Sequence, residues 1–385
     1  MKADKNIQSA LYRHLVLEGT SYDVGKKLGK YIKAETDPIR EFTLKPSTLE
    51  KTEKAHIQKC IDLFQKYCPG INDEIKGLAE GLGVEVEQLL YYISSYRSKG
   101  CCSQMVVLPK ITNGGGIYLA RNYEYRPQES DLCLITTKVK GKASHIGFSE
   151  LGLGRNDGIN EHGLCISMPN AAPGITSNSI GFEFWFIIRA VLDLCTNVNE
   201  AIDLIKNVPT STYSNFIIVD KNANSALIEV AGSKKSVVRI NTSHSKQYLC
   251  AANHFSSKQM LSYGKARYWD SVARYIAMEL RINDAIPCVD KNTLKDIQSD
   301  FIPLGICCHN YSSGFGTLWS VIYDPIGVNM EVCFGSPKIN EWHTFNLKNS
   351  LNETKYWVIL PNDNKKPLWK KLPSGSNICL DFEIV

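Results

Sequence analysis

The feature that most constrains this chain is a change of texture at Gly100-Cys101. Upstream, apolar residues recur at helical spacing. Residues 21–35 carry such a stripe behind a candidate N-cap, Ser21. From Glu53 to about Tyr67 the stripe is Ile57, Ile61, Phe64 and Cys68, at steps of four, three and four, and Pro69-Gly70 then breaks the chain. Ile71, Ile75, Leu78 and Leu82 repeat the spacing, and a third run ends at Leu89, Leu90 and Ile93. The first hundred residues therefore read as an antiparallel helical segment with one apolar face.

Downstream, short β-rich runs take over: residues 105–108, 116–120, 132–139, 163–168, 215–220, 225–231, 236–240, 317–324 and 330–334. Thr112-Asn113-Gly114-Gly115-Gly116 reads as a hairpin turn. Helices are predicted over 182–206 and roughly 262–282. Strands dominate with helices between or outside them, so the expected fold class is α+β, a layered sandwich. The expected division is a helical segment, 1–100, and a β-rich domain, 101–385.

Composition narrows the function. With 44 basic and 39 acidic residues interspersed along 385 positions, the net charge of +5 gives no basic face for nucleic acid. No apolar run approaches the ~18 residues of a membrane span, and the N-terminus lacks an apolar signal core, so a cytoplasmic location is expected. The thirteen cysteines then read as mostly reduced, buried small hydrophobes. There is no C-x-x-C pair, and Cys307-Cys308-His309 is too compact to ligate one ion, so no metal is expected.

Several residues could carry chemistry. If the Gly100–Cys101 bond breaks, Cys101 gains an α-amine able to activate its own thiol; taken alone, the Cys101-Cys102 pair equally reads as inert core. Arg121 and Glu124 follow a predicted strand and could orient a nucleophile, or could be an ordinary surface pair. The side-chain amides of Asn170 and Asn253 could donate to a developing oxyanion, or serve a turn and a strand end. Arg267 could support the site or be a solvated helix-start residue.

The order and spacing of these signals resemble the isopenicillin N acyltransferase family and, more distantly, choloylglycine hydrolase and acid ceramidase, all N-terminal-nucleophile hydrolases. Cys101-Cys102-Ser103 after Gly100 is similar to the Cys-Thr-Ser that opens the mature domain. Ala120-Arg121-Asn122-Tyr123-Glu124 resembles the Gly-Arg-Asn-x-Asp motif, and Asn160-Glu161-His162-Gly163-Leu164 the Asn-Glu-x-Gly-Leu motif. Asn170 falls where choloylglycine hydrolases place an oxyanion-hole Asn, and Asn253-His254-Phe255 matches the family's Asn-His-Phe. Thr317-Leu318-Trp319-Ser320 and Gly335-Ser336-Pro337 resemble its C-terminal strands. Glu124 stands where the family has Asp. The Cys101-to-Arg121 interval is longer than in close comparators, implying a longer hairpin with its tip at Asn113–Gly116. Cys102 replaces Thr and adds a second thiol, but the Gly-Cys junction and the Cys-x-Ser register favour Cys101.

The resemblance implies a four-layer αββα sandwich with an N-terminal helical pro-segment, made as a zymogen that cleaves itself between Gly100 and Cys101. The segments 1–100 and 101–385 would stay associated. Cys101 would attack a small-molecule linear amide or thioester, Arg121 and Glu124 would position it, Asn170 and Asn253 would bind the oxyanion, and Arg267 would add electrostatic support. The acyl group would pass to water, or to an amine, with no cofactor or metal. Two other readings stay open: a papain-like Cys–His hydrolase using His254, and a non-catalytic binding protein on the same scaffold with processing lost through Glu124.

Overall fold

The computed structural model describes residues 7–35, 51–96, 101–171, 181–264, 268–311 and 315–361. In chain order these form β1 (Ile7–Gly19), α1 (Ser21–Ala34), α2 (Lys51–Tyr67), α3 (Ile71–Leu82), α4 (Val86–Ser95), β2 (Cys101–Val107), β3 (Tyr118–Tyr125), β4 (Cys133–Val139), β5 (His145–Glu150), β6 (Gly154–Arg155), β7 (Asp157–Asn160) and β8 (Cys165–Ser167). There follow α5 (Phe184–Leu194), α6 (Val198–Asn207), β9 (Tyr213–Val219), β10 (Ser225–Ala231), β11 (Lys234–Ile240), β12 (Tyr248–Ala251), α7 (Trp269–Ala285), α8 (Lys291–Ser299), β13 (His309–Asn310), β14 (Phe315–Asp324), β15 (Asn329–Phe334), β16 (Trp342–Asn346) and β17 (Thr354–Pro361).

Two sheets stack face to face. The larger runs β11-β10-β9-β8-β7-β5-β4-β1-β17, with β6 beside β5; the smaller runs β12-β2-β3-β14-β15-β16, with β13 beside β14. Because strand side chains alternate, each sheet offers one face inward and one outward. Tyr12, Leu134, Phe148 and Ile159 of the large sheet meet Val106, Leu119, Tyr123 and Val321 of the small one in a shared core. Three rings tie that core together: Trp319 stacks on Tyr123 at 3.9 Å and on Phe148 of the opposite sheet at 4.1 Å. The outer face of the large sheet is covered by α1–α6 through residues such as Leu28, Ile75, Trp185 and Ile202. On the outer face of the small sheet, Met105 and Val107 pack under Met278 and Ile282 of α7 and Leu294 and Ile297 of α8. These four layers are an αββα sandwich.

Within the outer layer α1 and α3 touch backbone to backbone. A Cβ at Gly25 would lie 1.9 Å from the Glu74 carbonyl oxygen, and one at Gly77 would lie 2.1 Å from that of Tyr22. The two G-x-x-x-G spacings, Gly25/Gly29 and Gly77/Gly81, thus permit the contact that seats α3 on the sheet.

Several expectations need correction. The first hundred residues are not all helical: residues 7–19 form β1, an interior strand paired parallel to β4 and antiparallel to β17. Thr20, not Ser21, caps α1, accepting from the Asp23 amide at 3.2 Å. The helix expected over 182–206 is two helices, broken at residues 195–197, where the Asn197 side chain caps α6. The helix expected from 262 begins at Trp269. The expected long hairpin is present: β2 and β3 pair antiparallel, and their connection passes Gly114 and Gly115 at positive φ. Among the described residues no helix is long and apolar enough to cross a membrane.

Candidate active site

The site is built on the start of β2, which lies between β12 and β3 in the small sheet. Alternation sends Cys102, Gln104 and Val106 toward the opposite sheet and Cys101, Ser103, Met105 and Val107 toward α7 and α8. Cys101 lies opposite Glu124 and Cys102 opposite Tyr123 on the neighbouring strand. The two adjacent thiols therefore face different layers.

On the inter-sheet side, Arg121 reaches Cys102: its Nη2 donates to the sulfur at 3.0 Å. The guanidinium is anchored from behind. Its Nη1 donates to Asp157 Oδ2 at 2.6 Å and to the Asn156 carbonyl, and Asp157 also accepts from Tyr323 OH at 2.8 Å and the Phe148 amide at 3.2 Å. All of these side chains are buried.

A second fully buried guanidinium, Arg274 on α7, grips the backbone from the other side. Its Nη1 donates to the Cys102 carbonyl at 2.8 Å and to Ser103 Oγ at 2.5 Å, and its Nη2 donates to Asn253 Oδ1 at 2.9 Å and Asp270 Oδ2 at 3.0 Å. Asn253 Oδ1 also accepts from the Cys102 amide at 3.1 Å, while Asn253 Nδ2 donates to the Asn170 carbonyl at 2.7 Å. Asn170 itself bridges to Ser214 at the start of β9. Asn215 holds the turn carrying Asn253, donating to the carbonyls of Ala252 and His254 at 2.9 and 2.8 Å.

Glu124 lies on the helix side, wholly buried. Its Oε1 is 3.4 Å from the Thr317 hydroxyl, its Oε2 is 3.8 Å from Arg274 Nη1, and Oε2 has no hydrogen-bond partner. Burial pushes its carboxyl up to about 8, against the pull of Arg274 and Arg121. Cys101 packs with Cys308 and Phe315. Burial raises both thiols: Cys102 to about 11, with the Arg121 charge opposing, and Cys101 further still, with Arg274 opposing.

The structure thus brings Arg121, Glu124, Asn170 and Asn253 around the Cys101-Cys102 step. Gly100 and Arg267 lie outside the described residues. His254 presents Nδ1 to Ser271 Oγ at 2.7 Å, and the groups acting most on the Cys101 thiol are Arg274, Asp270, Cys102 and Glu124. Sequence reasoning missed Arg274, Asp270 and Asp157. Arg274 did leave a trace: with Met278 and Ile282 it steps by four along a helical face whose other two members are apolar. Among the described residues, no three His, Cys, Asp or Glu side chains are placed to hold a metal ion.

A family model described as acyl-coenzyme A:6-aminopenicillanic acid acyl-transferase matches residues 111–339, from the β2–β3 connection to just beyond β15. No curated protein sequence matches. Among solved structures, penicillin V acylase from Agrobacterium tumefaciens aligns at 13% identity over 66% of this chain and 90% of that one, with a TM-score of 0.43. A mutant of conjugated bile acid hydrolase from Clostridium perfringens aligns at 11% identity over 66% and 96% of the two chains, with a TM-score of 0.43.

Proposed function

The chain belongs to the acyl-coenzyme A:6-aminopenicillanic acid acyl-transferase family, and from that premise we propose that it is an N-terminal-nucleophile cysteine enzyme acting on small linear amides or acyl thioesters. A thiol at the start of β2 attacks the substrate carbonyl, the amine or thiol leaves, and the acyl group rests as a thioester before passing to water or to an acceptor amine. Hydrolysis is the default outcome, because transfer requires a pocket that keeps water out.

The observation that carries this reading is the convergence of Arg121, Arg274 and Asn253 on one residue step at the head of a strand. The guanidinium of Arg121 favours the thiolate over the thiol. The amide groups of Asn253 and Asn170 would donate to the tetrahedral oxyanion, in a dry site where such donors are worth ~3–4 kcal/mol each. Arg274 can supply the electrostatic support expected of Arg267. The nucleophile needs a free α-amine as its base, so the chain is a zymogen cleaved at the head of β2. The two segments would stay together, since β1 is an interior strand of the large sheet.

Intact mass under denaturing conditions tests the reading, with a variant lacking both Cys101 and Cys102 alongside. The wild-type chain is expected to separate into a light and a heavy fragment, and the heavy fragment to take up an acyl group from activated amides or thioesters. A single unmodified chain, together with no thiol-dependent turnover of an amide panel, overturns it.

A further inference from the structure

Resting on that reading, we infer that the nucleophile is Cys102 rather than Cys101, and that the bond cleaved is Cys101–Cys102. The two candidates are adjacent in sequence but point into different layers, so their surroundings can be compared atom by atom.

Cys102 has the surroundings of an attacking thiol. Its sulfur lies 3.0 Å from a guanidinium nitrogen of Arg121, and that guanidinium is itself locked to Asp157. Its peptide nitrogen, the atom that would become the α-amine, donates to Asn253 Oδ1 at 3.1 Å. After cleavage the same contact would hold the amine beside its own thiol. Its carbonyl is fixed by Arg274 at 2.8 Å, so the residue is held on three sides before any chemistry occurs. Asn253 Nδ2 donates onward to the Asn170 carbonyl, so the backbone at Asn170 is tied to the Cys102 side of the peptide.

Cys101 meets a different set of groups on the helix side, where Arg274 and Asp270 are the charges that act most on its thiol. Its side chain sits with Cys308 and Phe315 against the helix layer, on the opposite face of β2 from Arg121. Burial also raises its thiol beyond that of Cys102.

The cleavage balances without another reactant than water. The Cys102 sulfur attacks the Cys101 carbonyl carbon through a five-membered ring. The C–N bond breaks, the thiol proton ends on the departing nitrogen, and a thioester joins Cys101 to the Cys102 sulfur. Water then adds to that carbonyl and the S–C bond breaks, leaving a Cys101 carboxylate, a free Cys102 thiol and its α-amine. Glu124, opposite Cys101 on β3, then neighbours the new chain end while its charge still acts on the Cys102 thiol.

The test is the first residue of the heavy fragment, read by sequencing and peptide mass in the wild type, Cys101→Ala, Cys102→Ala and Cys102→Ser. The heavy fragment is expected to begin at Cys102 and to carry the acyl group there. Cys101→Ala should still divide with a rate within about threefold of wild type. Cys102→Ala should stay whole, and Cys102→Ser should divide slowly or not at all while melting like the wild type, which separates lost chemistry from lost folding. A heavy fragment beginning at Cys101, or cleavage persisting in Cys102→Ala, overturns this inference and leaves the proposed function standing. A wild-type chain that neither divides nor acylates overturns both.

Discussion

Two clusters of buried charge in this molecule differ in one respect: how many donors each carboxylate receives. Beneath the outer helices, Arg189 of α5 donates to both oxygens of Glu74 on α3, at 3.0 and 2.8 Å. Asp193 accepts from Arg189 Nε at 2.9 Å, from Lys142 at 2.8 Å and from His145 at 3.0 Å. At the head of β2, Glu124 is just as buried but has one weak contact with Thr317 and a guanidinium at 3.8 Å. Burial raises a carboxyl pKa in both places. At Asp193 the neighbouring charges and donors win and hold it well below the ordinary carboxylate value; at Glu124 burial wins. The first cluster is arranged to hold helices on a sheet. The second leaves a carboxyl with unmet hydrogen-bonding capacity beside the bond where chemistry is expected.

If that division is right, the helix cluster should govern stability and the site cluster turnover. The largest effect is expected for Glu74→Ala, which strands Arg189 in the core and should destabilise by ~3–5 kcal/mol in denaturant unfolding. Adding Arg189→Met should restore much of that loss, because a packed apolar replacement removes the stranded charge. No recovery in the double variant would mean that Arg189 is held chiefly by Asp193.

Asn253→Ala is the counterpart in the other cluster. It should slow acylation by a competent amide ~100–1,000-fold, as removal of an oxyanion donor does, while losing less stability than Glu74→Ala. Equal damage to folding and turnover would erase the contrast between the clusters.

A smaller effect is expected between α1 and α3. Gly25→Ala places a methyl 1.9 Å from a backbone oxygen, so the helices must part and stability should fall by ~1–3 kcal/mol. Because α3 carries Glu74, the same variant should weaken the Glu74–Arg189 pair, and its loss should combine non-additively with that of Glu74→Ala. Simple additivity would show that the glycine contact and the ion pair act separately.

What the sequence made legible follows the same physics. Helices α1 and α3 have one apolar face each, and their spacing is readable. β1 was not, because it is buried on both faces, with Tyr12 in the core between the sheets and Leu15 and Leu17 under the helices; a strand covered on both sides loses clean alternation. The residues named in advance that the structure gathers around the Cys101-Cys102 step are those that sit in recognisable motifs, Arg121, Glu124, Asn170 and Asn253. Asp157 is legible only in space, and Arg274 shows in the sequence only as a polar member of an apolar helical face, since each acts by reaching residues more than thirty positions away. The choice between two adjacent cysteines depends on which face of a strand each occupies, which the motif register could not resolve.

The last prediction separates the clusters by the sign of a pH dependence. Glu124 has an ordinary value of 4.5 and is raised to about 8 in the folded chain. Between those values the native state holds a proton that the unfolded chain has released, so this residue makes stability fall as pH rises through that window and stop falling above it, with a slope of at most about 1.4 kcal/mol per pH unit. Asp193 acts in the opposite sense: its depressed value gives stability that is present above its ordinary pKa and is lost as pH falls toward the folded value. Unfolding of the uncleaved Cys102→Ala chain from pH 2.5 to pH 8.5, with and without Glu124→Gln, isolates the first contribution and reaches the range below 3.8 where Asp193 acts. The Gln variant should lose the decline on the neutral side and keep the acid-side loss that belongs to Asp193. Parallel curves would show that Glu124 is ionised in the fold, making it a second salt-bridged carboxylate and removing the contrast between the two clusters.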